Sequence, residues 1–388
     1  RAALLTGRYP HCCGMHGLAS PAWGFALHCP RHHLAHYLAD AGYTTVLAGV
    51  QHLAKASASD VRSLGHQLFL NEDNLGEDVP DLHQRVAEFI TRGSQGSGPW
   101  FLEVGFDETH RQGPADGTRF SKYGGYDPAS LDSRYCRAPA LFPDLPETRA
   151  DWASYQAGLR HLDERIGHVL AALERSGEAD NTLVIITTDH GLAWPGIKCS
   201  LTDHGTGVML MMRGPSGFSG GRVLDAMVTH LDLYPTLCEL AGLAPPVWLD
   251  GKSLLRLIAG TAPKLHDAIF TEQGWHEVAE PMRAVRTTRY KYIRRYDPFG
   301  PKARNCDAGP TQVVLEKFGW FDRLLGEEQL FDLMLDPQEL CNLAADPQAA
   351  NVLAALRQDL HDWMQRTRDP LLSGKPVPPP SLPGIAPD

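Results

Sequence analysis

"LDERIGHVLAALERSGEADNTLVIITTDHG", Leu162–Gly191, carries three signals in succession. It continues a helical pattern begun at Tyr155, in which Leu159, Leu162, Ile166, Val169, Leu170 and Leu173 share one stripe and Gly177 supplies the stop. "TLVIITT" (182–188) is then a short β-branched run of the kind that parallel sheets bury on both faces. Asp189, His190 and Gly191 follow at once, at the carboxyl end of that strand, where open α/β sheets place their ligands. Helix, buried strand and polar turn in this order predict an α/β fold with a site at the strand ends.

The same grammar extends outward. "YTTVLAG" (43–49), "WFLEVGF" (100–106) and "GVMLMM" (207–212) read as further buried strands, and "HHLAHYLADAG" (32–42) as a helix closed by Gly. Just beyond the strands stand His52, His110 within "DETHR", and Lys198. One His at a strand end is most often a hydrogen-bonded surface residue; several chemical side chains at one sheet edge imply a site. Residues 107–149 are rich in Gly, Pro, Asp and Tyr, and a loop this long reads as a substrate-side cap. A composition break near "AGTAPKLHD" (259–267) precedes strand-like "AIFTEQGW" and "YKYIRRY" and a final helix around "NVLAALRQDLHDWMQRT" (351–367). The tail from Gly374, "GKPVPPPSLPGIAPD", is too Pro-rich for regular structure and reads as extended or disordered. The expected organisation is a catalytic domain over 1–260, a smaller α+β subdomain over 261–370 and a tail over 371–388.

With 388 residues, 43% hydrophobic and 21% charged, the chain can bury a large core. A formal net charge of −10 and no long basic run argue against a generic nucleic-acid surface, so an anionic ligand needs a local cationic pocket. No apolar run approaches the roughly 18 residues of a membrane span. The eight cysteines form no CxxC pair, which leaves neither a zinc site nor a disulfide framework indicated.

Four stretches together resemble the sulfatase family of the alkaline-phosphatase-like superfamily. "RAALLTG" at Arg1 is similar to the second half of the signature CxPSRxxLLTG, "GYTTVLAGVQH" to the second signature, Leu162–Gly191 to the helix, strand and metal turn, and "QLFDLMLDPQELCNLAADP" to a segment of the C-terminal subdomain. "FDETHR", "WPGIK" and "WHEVAEPMRAVRT" (275–287) look most like the heparan N-sulfatase (sulfamidase) branch. The resemblance implies an α/β fold with a mostly parallel or mixed central sheet sandwiched by helices. It also implies that the nucleophile, a Cys oxidised to formylglycine by a maturation enzyme, falls four residues ahead of Arg1, with a strand bearing two more metal-binding Asp residues upstream again. The 388 residues alone are then expected to be inactive. A homodimer and a periplasmic, secreted or lysosomal setting are also implied.

Carried over by position, Arg1 holds the hydrated aldehyde near the metal, His52 assists sulfate release, His110 binds sulfate and protonates the leaving atom, and Lys198 touches sulfate. Such cationic and proton-donating groups meet charge that develops in the transition state. Asp189 and His190 match the metal pair. His190 gives nitrogen to a site that ordinarily holds oxygen-loving calcium, so Ca2+ is expected first, with Mn2+ or Zn2+ as alternatives. Arg111, Asp203, His204, His276, Glu277 and Arg283 are expected to face the sulfated saccharide, although the second Asp-His-Gly at Asp203–Gly205 is equally readable as a chance repeat.

One departure matters. The second signature has Lys after its Gly, whereas Gly49 is followed here by Val50, with Lys55 the nearest lysine. The readings kept open are therefore an N-sulfoglucosamine-type sulfatase, an O-sulfatase or phosphonate or phosphate ester hydrolase of the same fold, and a silent relative that binds sulfated glycans.

Overall fold

The computed structural model describes residues 1–20, 23–55, 57–93, 98–111, 119–120, 125–215, 217–297, 305–374 and 376–381. Strand β1 (Thr44–Gly49) lies between β2 (Leu68–Phe69) and β3 (Trp100–Gly105), parallel to both. Adjacent residues of β1 point to opposite faces. Leu47 joins a core with Leu5, Leu38, Tyr234 and Cys238. Ala48 joins another with Val86 and Ile90 of the helix Leu82–Gly93 and Leu173 of the helix Pro146–Ser176. The sheet is thus sandwiched by helices, an α/β arrangement.

The helix Pro146–Ser176 ends at Gly177, whose φ of 78° suits a left-handed cap, but it starts nine residues before Tyr155, where the helical pattern of the sequence begins. It buries the polar Asp151, Ser154 and Arg165, while Leu159, expected in the stripe, is exposed. Hydrophobic periodicity cannot register a helix face that is buried through ion pairs.

Strand β4 (Val184–Thr187) pairs antiparallel with β5 (Leu210–Arg213). The expected double-sided burial holds for β1 but not for β5, where Leu210 and Met212 pack on Phe218, Leu233 and Leu254 while Met211 faces out. One-sided burial is the usual state of an antiparallel pair. A four-stranded antiparallel sheet follows, β6 (Ala268–Trp275), β7 (Ala279–Thr287), β8 (Tyr290–Arg295) and β9 (Glu328–Asp332). The helix Ala350–Thr367 covers one face through Leu353, Leu356, Leu360 and Trp363 on Val285 and Tyr292; Ala284 and Ile293 meet Leu201 on the other.

Of the long segment expected as a cap, residues 112–118 and 121–124 lie outside the described residues. Phe120 is buried against Trp194. The Pro-rich tail forms neither helix nor strand where described, with a turn at 380–381, and docks on the protein, Val377 accepting from Trp275 Nε1 at 2.8 Å and Ser381 donating to the Trp23 carbonyl at 3.2 Å. Among the described residues no helix is long and apolar enough to cross a membrane.

Candidate active site

β1 and β3 leave the sheet side by side, Gly49 opposite Gly105. Val50 N–H donates to the Gly105 carbonyl at 2.8 Å, and a Cβ on Gly49 would sit 2.1 Å from that oxygen. A Cβ on Gly105 would sit 2.2 Å from the Val50 carbonyl. Only glycines permit this approach, and from it the chain carries His52 and His110 off one edge.

Arg1 Nη1 donates to the Val50 carbonyl at 2.7 Å and lies 3.8 Å from Glu103 Oε1. For Asp189, surrounding protein favours the neutral acid, but the charges of His190 and Arg1 outweigh it and hold the carboxyl well below the usual carboxylate range. His52 is open to solvent on one side. The protein packed on its other sides and the Arg1 guanidinium nevertheless push it down to about 4, against the opposing pull of Asp189 and Glu77. It is a neutral base at physiological pH.

His190 Nδ1 lies 2.7 Å from the Gly191 carbonyl, which can only accept, so Nδ1 carries the proton and Nε2 stands 3.8 Å from Asp189 Oδ1. An imidazole oriented by a backbone carbonyl beside an ionised carboxylate is the ordinary form of a metal ligand pair. The two donors fit part of a metal's shell, since calcium takes about six to eight ligands. Beneath this turn lies the second Asp-His-Gly: Gly191 N–H donates to the Gly205 carbonyl at 2.9 Å, and a Cβ at Gly191 would fall 1.9 Å from the His204 carbonyl.

Lys198 is buried, donates to Asp307 Oδ1 at 2.6 Å, and lies 3.3 Å from His110 Nε2. His110 Nδ1 in turn faces the Arg111 carbonyl at 3.0 Å. The β6–β7 hairpin brings His276 into the same field, where burial first and the Lys198 charge second push it down to about 4, with His190 and His110 adding to the effect. Two further residues, absent from the sequence expectations, belong here. Asp307 pairs with Lys198 from an aperiodic stretch that gives no signal in sequence. His230, pushed down to about 4 by burial and influenced by Asp189, bonds Thr187 Oγ1 at 2.9 Å through Nε2.

The remaining expected residues are placed differently. Arg111 is buried in a bidentate pair with Asp151 (2.6 and 3.1 Å) beneath the Phe120 ring. Asp203 is gripped by Arg286 at 2.9 Å and Lys291 at 2.5 Å. Arg283 pairs with Asp369, its Nη2 at 3.0 Å. These charges are matched inside the protein. His204 has a buried Nε2 without a hydrogen-bond partner among the described residues, and exposed Glu277 donates its backbone N–H to Asn305 Oδ1 at 3.0 Å.

His11, Glu272 and Asp369 bring ligand atoms within 4.8 Å of one another, a spacing that could hold a metal. Arg283 sits on the same carboxylates. Burial disfavours a charged His11, yet hydrogen bonds with Cys12 and Glu272 and the charges of Glu272 and Asp369 lift it to about 10. Two cations already balance two anions there.

The sulfatase profile matches residues 1–243, and the C-terminal profile of N-sulphoglucosamine sulphohydrolase matches residues 198–300. This chain belongs to the sulfatase family. Human N-sulphoglucosamine sulphohydrolase is 29% identical over 415 residues, covering 95% of this chain and 81% of the relative. A solved Bacteroides thetaiotaomicron structure described as that of a sulfatase aligns with a TM-score of 0.69 at 24% identity over 98% of this chain and 84% of that one. A phosphonate monoester hydrolase from Silicibacter pomeroyi aligns at 0.65 and 19%, over 96% and 86%. At these identities the structures establish the fold alone. Hydrolysis of sulfated substrates is the chemistry to which the family membership points.

Proposed function

We propose that this chain supplies most of the catalytic unit of a sulfatase that removes sulfate from a sulfated sugar of the N-sulfoglucosamine type. The observation that carries the reading is the convergence of Arg1, His52, Asp189 and His190 with Lys198, His110 and His276 at one sheet end. The identity with the human relative and the match to its C-terminal profile favour the N-sulfated class. Asp189 and His190 would hold a divalent metal, calcium before manganese or zinc. That ion and a formylglycine matured from Cys by its generating enzyme would supply charge neutralisation and the nucleophile. Arg1 and buried Lys198 would meet the sulfate charge, His110 would hand a proton to the leaving atom, and neutral His52 would take one during sulfate release. An extracytoplasmic compartment suits this chemistry, and a homodimer remains part of the proposal.

Val50 favours a second reading, a silent relative that binds sulfated glycans, because no cation stands at that position. In a protein carrying the Cys-x-Pro-Ser segment ahead of Arg1, sulfate should be released faster from N-sulfoglucosamine than from glucosamine 6-O-sulfate, and the 388 residues alone should release none. Asp189→Ala should lose both metal, by elemental analysis, and turnover. No sulfate from any sulfated sugar, with formylglycine confirmed by mass spectrometry, would replace the enzyme reading with the glycan-binding one.

A further inference from the structure

Asp307 sets a carboxylate directly against Lys198 and near His110, the two groups that the sulfatase reading turns toward the sulfate. It is held there firmly. Asn305, buried, accepts from the backbone N–H groups of Glu277 and Val278 at 3.0 and 2.9 Å and donates to Glu280 Oε2 at 2.6 Å, which fixes the segment to the β6–β7 hairpin that carries His276. Two residues on, Asp307 Oδ1 accepts from Lys198 Nζ at 2.6 Å. Oδ2 is buried, lies 3.8 Å from His110 Nε2, and accepts no hydrogen bond among the described residues. At 3.8 Å His110 Nε2 lies beyond hydrogen-bond reach of Oδ2, and its nearer contact is Lys198 Nζ at 3.3 Å.

A buried carboxylate oxygen without a donor is costly, and a donor brought by the ligand would relieve that cost. Sulfate has none to offer. The bridging atom between sulfur and sugar differs in this respect between the two substrate classes. In a sulfamate it is N–H, a donor, and after S–N cleavage and protonation it becomes an ammonium with three donors and a positive charge. In a sulfate ester it is an oxygen, whose lone pairs face the carboxylate unfavourably.

We infer that Asp307 is the specificity residue for the leaving nitrogen, its free Oδ2 accepting from the amino group of a 2-amino sugar at the point where Lys198 and His110 meet the sulfate. The inference rests on the sugar-sulfatase reading, and it extends it by assigning the choice between N- and O-linked sulfate to one side chain. Sites that hydrogen-bond a substrate N–H discriminate strongly against analogues lacking it, because the protein group is then left unpaired.

The test uses glucosamine and glucose as probes, titrated calorimetrically at a pH where the amine is protonated. The chain as it stands should bind glucosamine at least about tenfold more tightly than glucose. Asp307→Asn should erase that preference, and Asp307→Glu should retain part of it. Equal binding of the two sugars by the unaltered chain overturns the inference without recourse to any variant, as does an undiminished preference in Asp307→Asn. In the matured, turnover-competent protein, Asp307→Asn should also lower the ratio of kcat/KM for N-sulfoglucosamine over glucosamine 6-O-sulfate, with an unchanged ratio counting against the assignment. A glucosamine preference without sulfate release from any sugar would sink the sulfatase reading and leave the amine site standing; sulfate release with no such preference would do the reverse.

Discussion

At the scale of single residues, Val50 bears most directly on turnover. Its side chain is only 6% exposed, and its carbonyl, which any residue would provide, receives Arg1. Val50→Lys therefore keeps the carbonyl that receives Arg1 while restoring an ammonium at the position where the second signature has its Lys. Lys55, the nearest lysine in sequence, is exposed. Removal of one preorganised donor commonly costs about 10²- to 10³-fold in rate. Val50→Lys in the matured protein should accordingly raise kcat for sulfate release by at least about tenfold. Initial rates with N-sulfoglucosamine check this, and an unchanged rate would mean that the missing cation is not what limits the site.

At the scale of elements, the short helix Pro10–Cys13 is joined to β6 and to the end of the helix Ala350–Thr367 through His11, Glu272, Asp369 and Arg283. His11 has its folded pKa raised from 6.5 to about 10. A raised pKa contributes stability that is complete below about pH 6.5 and is lost as pH climbs through about 10. His11→Gln should thus destabilise the protein by roughly 3–5 kcal/mol at pH 6, the usual cost of breaking a buried ion pair. The difference from the unaltered chain should shrink steadily between pH 7 and 10 in urea titrations. A difference that stays constant over that range would show that His11 stabilises by packing against Trp363 rather than by its charge.

Across the whole molecule, the Asp189–Gly191 turn rests on the antiparallel sheet through Asp203. Its carboxylate takes Arg286 of β7 and Lys291 of β8, its backbone N–H donates to Glu339, and the His204 carbonyl and Gly205 pack under Gly191. Lys291 is 1% exposed, so Asp203→Ala would leave a buried ammonium with Glu339 as its acidic partner. The expected loss is roughly 3–5 kcal/mol. Asp203→Ala with Lys291→Met should recover part of it, because removing both charges avoids the uncompensated one. Full stability in Asp203→Ala combined with weakened sugar binding would return Asp203 to the substrate side, where its place in the motif first put it.

The sequence by itself determined the α/β class, the family and the candidate reaction centre. Periodicity, Gly stops and polar residues at strand ends are local signals, and Gly49, Gly105, His52, His110, Asp189 and His190 all sit within a few residues of the strands that aim them. Only the tertiary structure decided what the buried charges do. Arg111, Asp203 and Arg283 carry the same side-chain chemistry whether they face a glycan or an internal carboxylate. Their partners Asp151, Lys291 and Asp369 lie 40, 88 and 86 residues away, and no local pattern encodes a pairing at that distance. Asp307 went unread for the same reason: its role comes from Lys198, 109 residues earlier, and from an Asn305 clasp that exists only once the β6–β7 hairpin has folded.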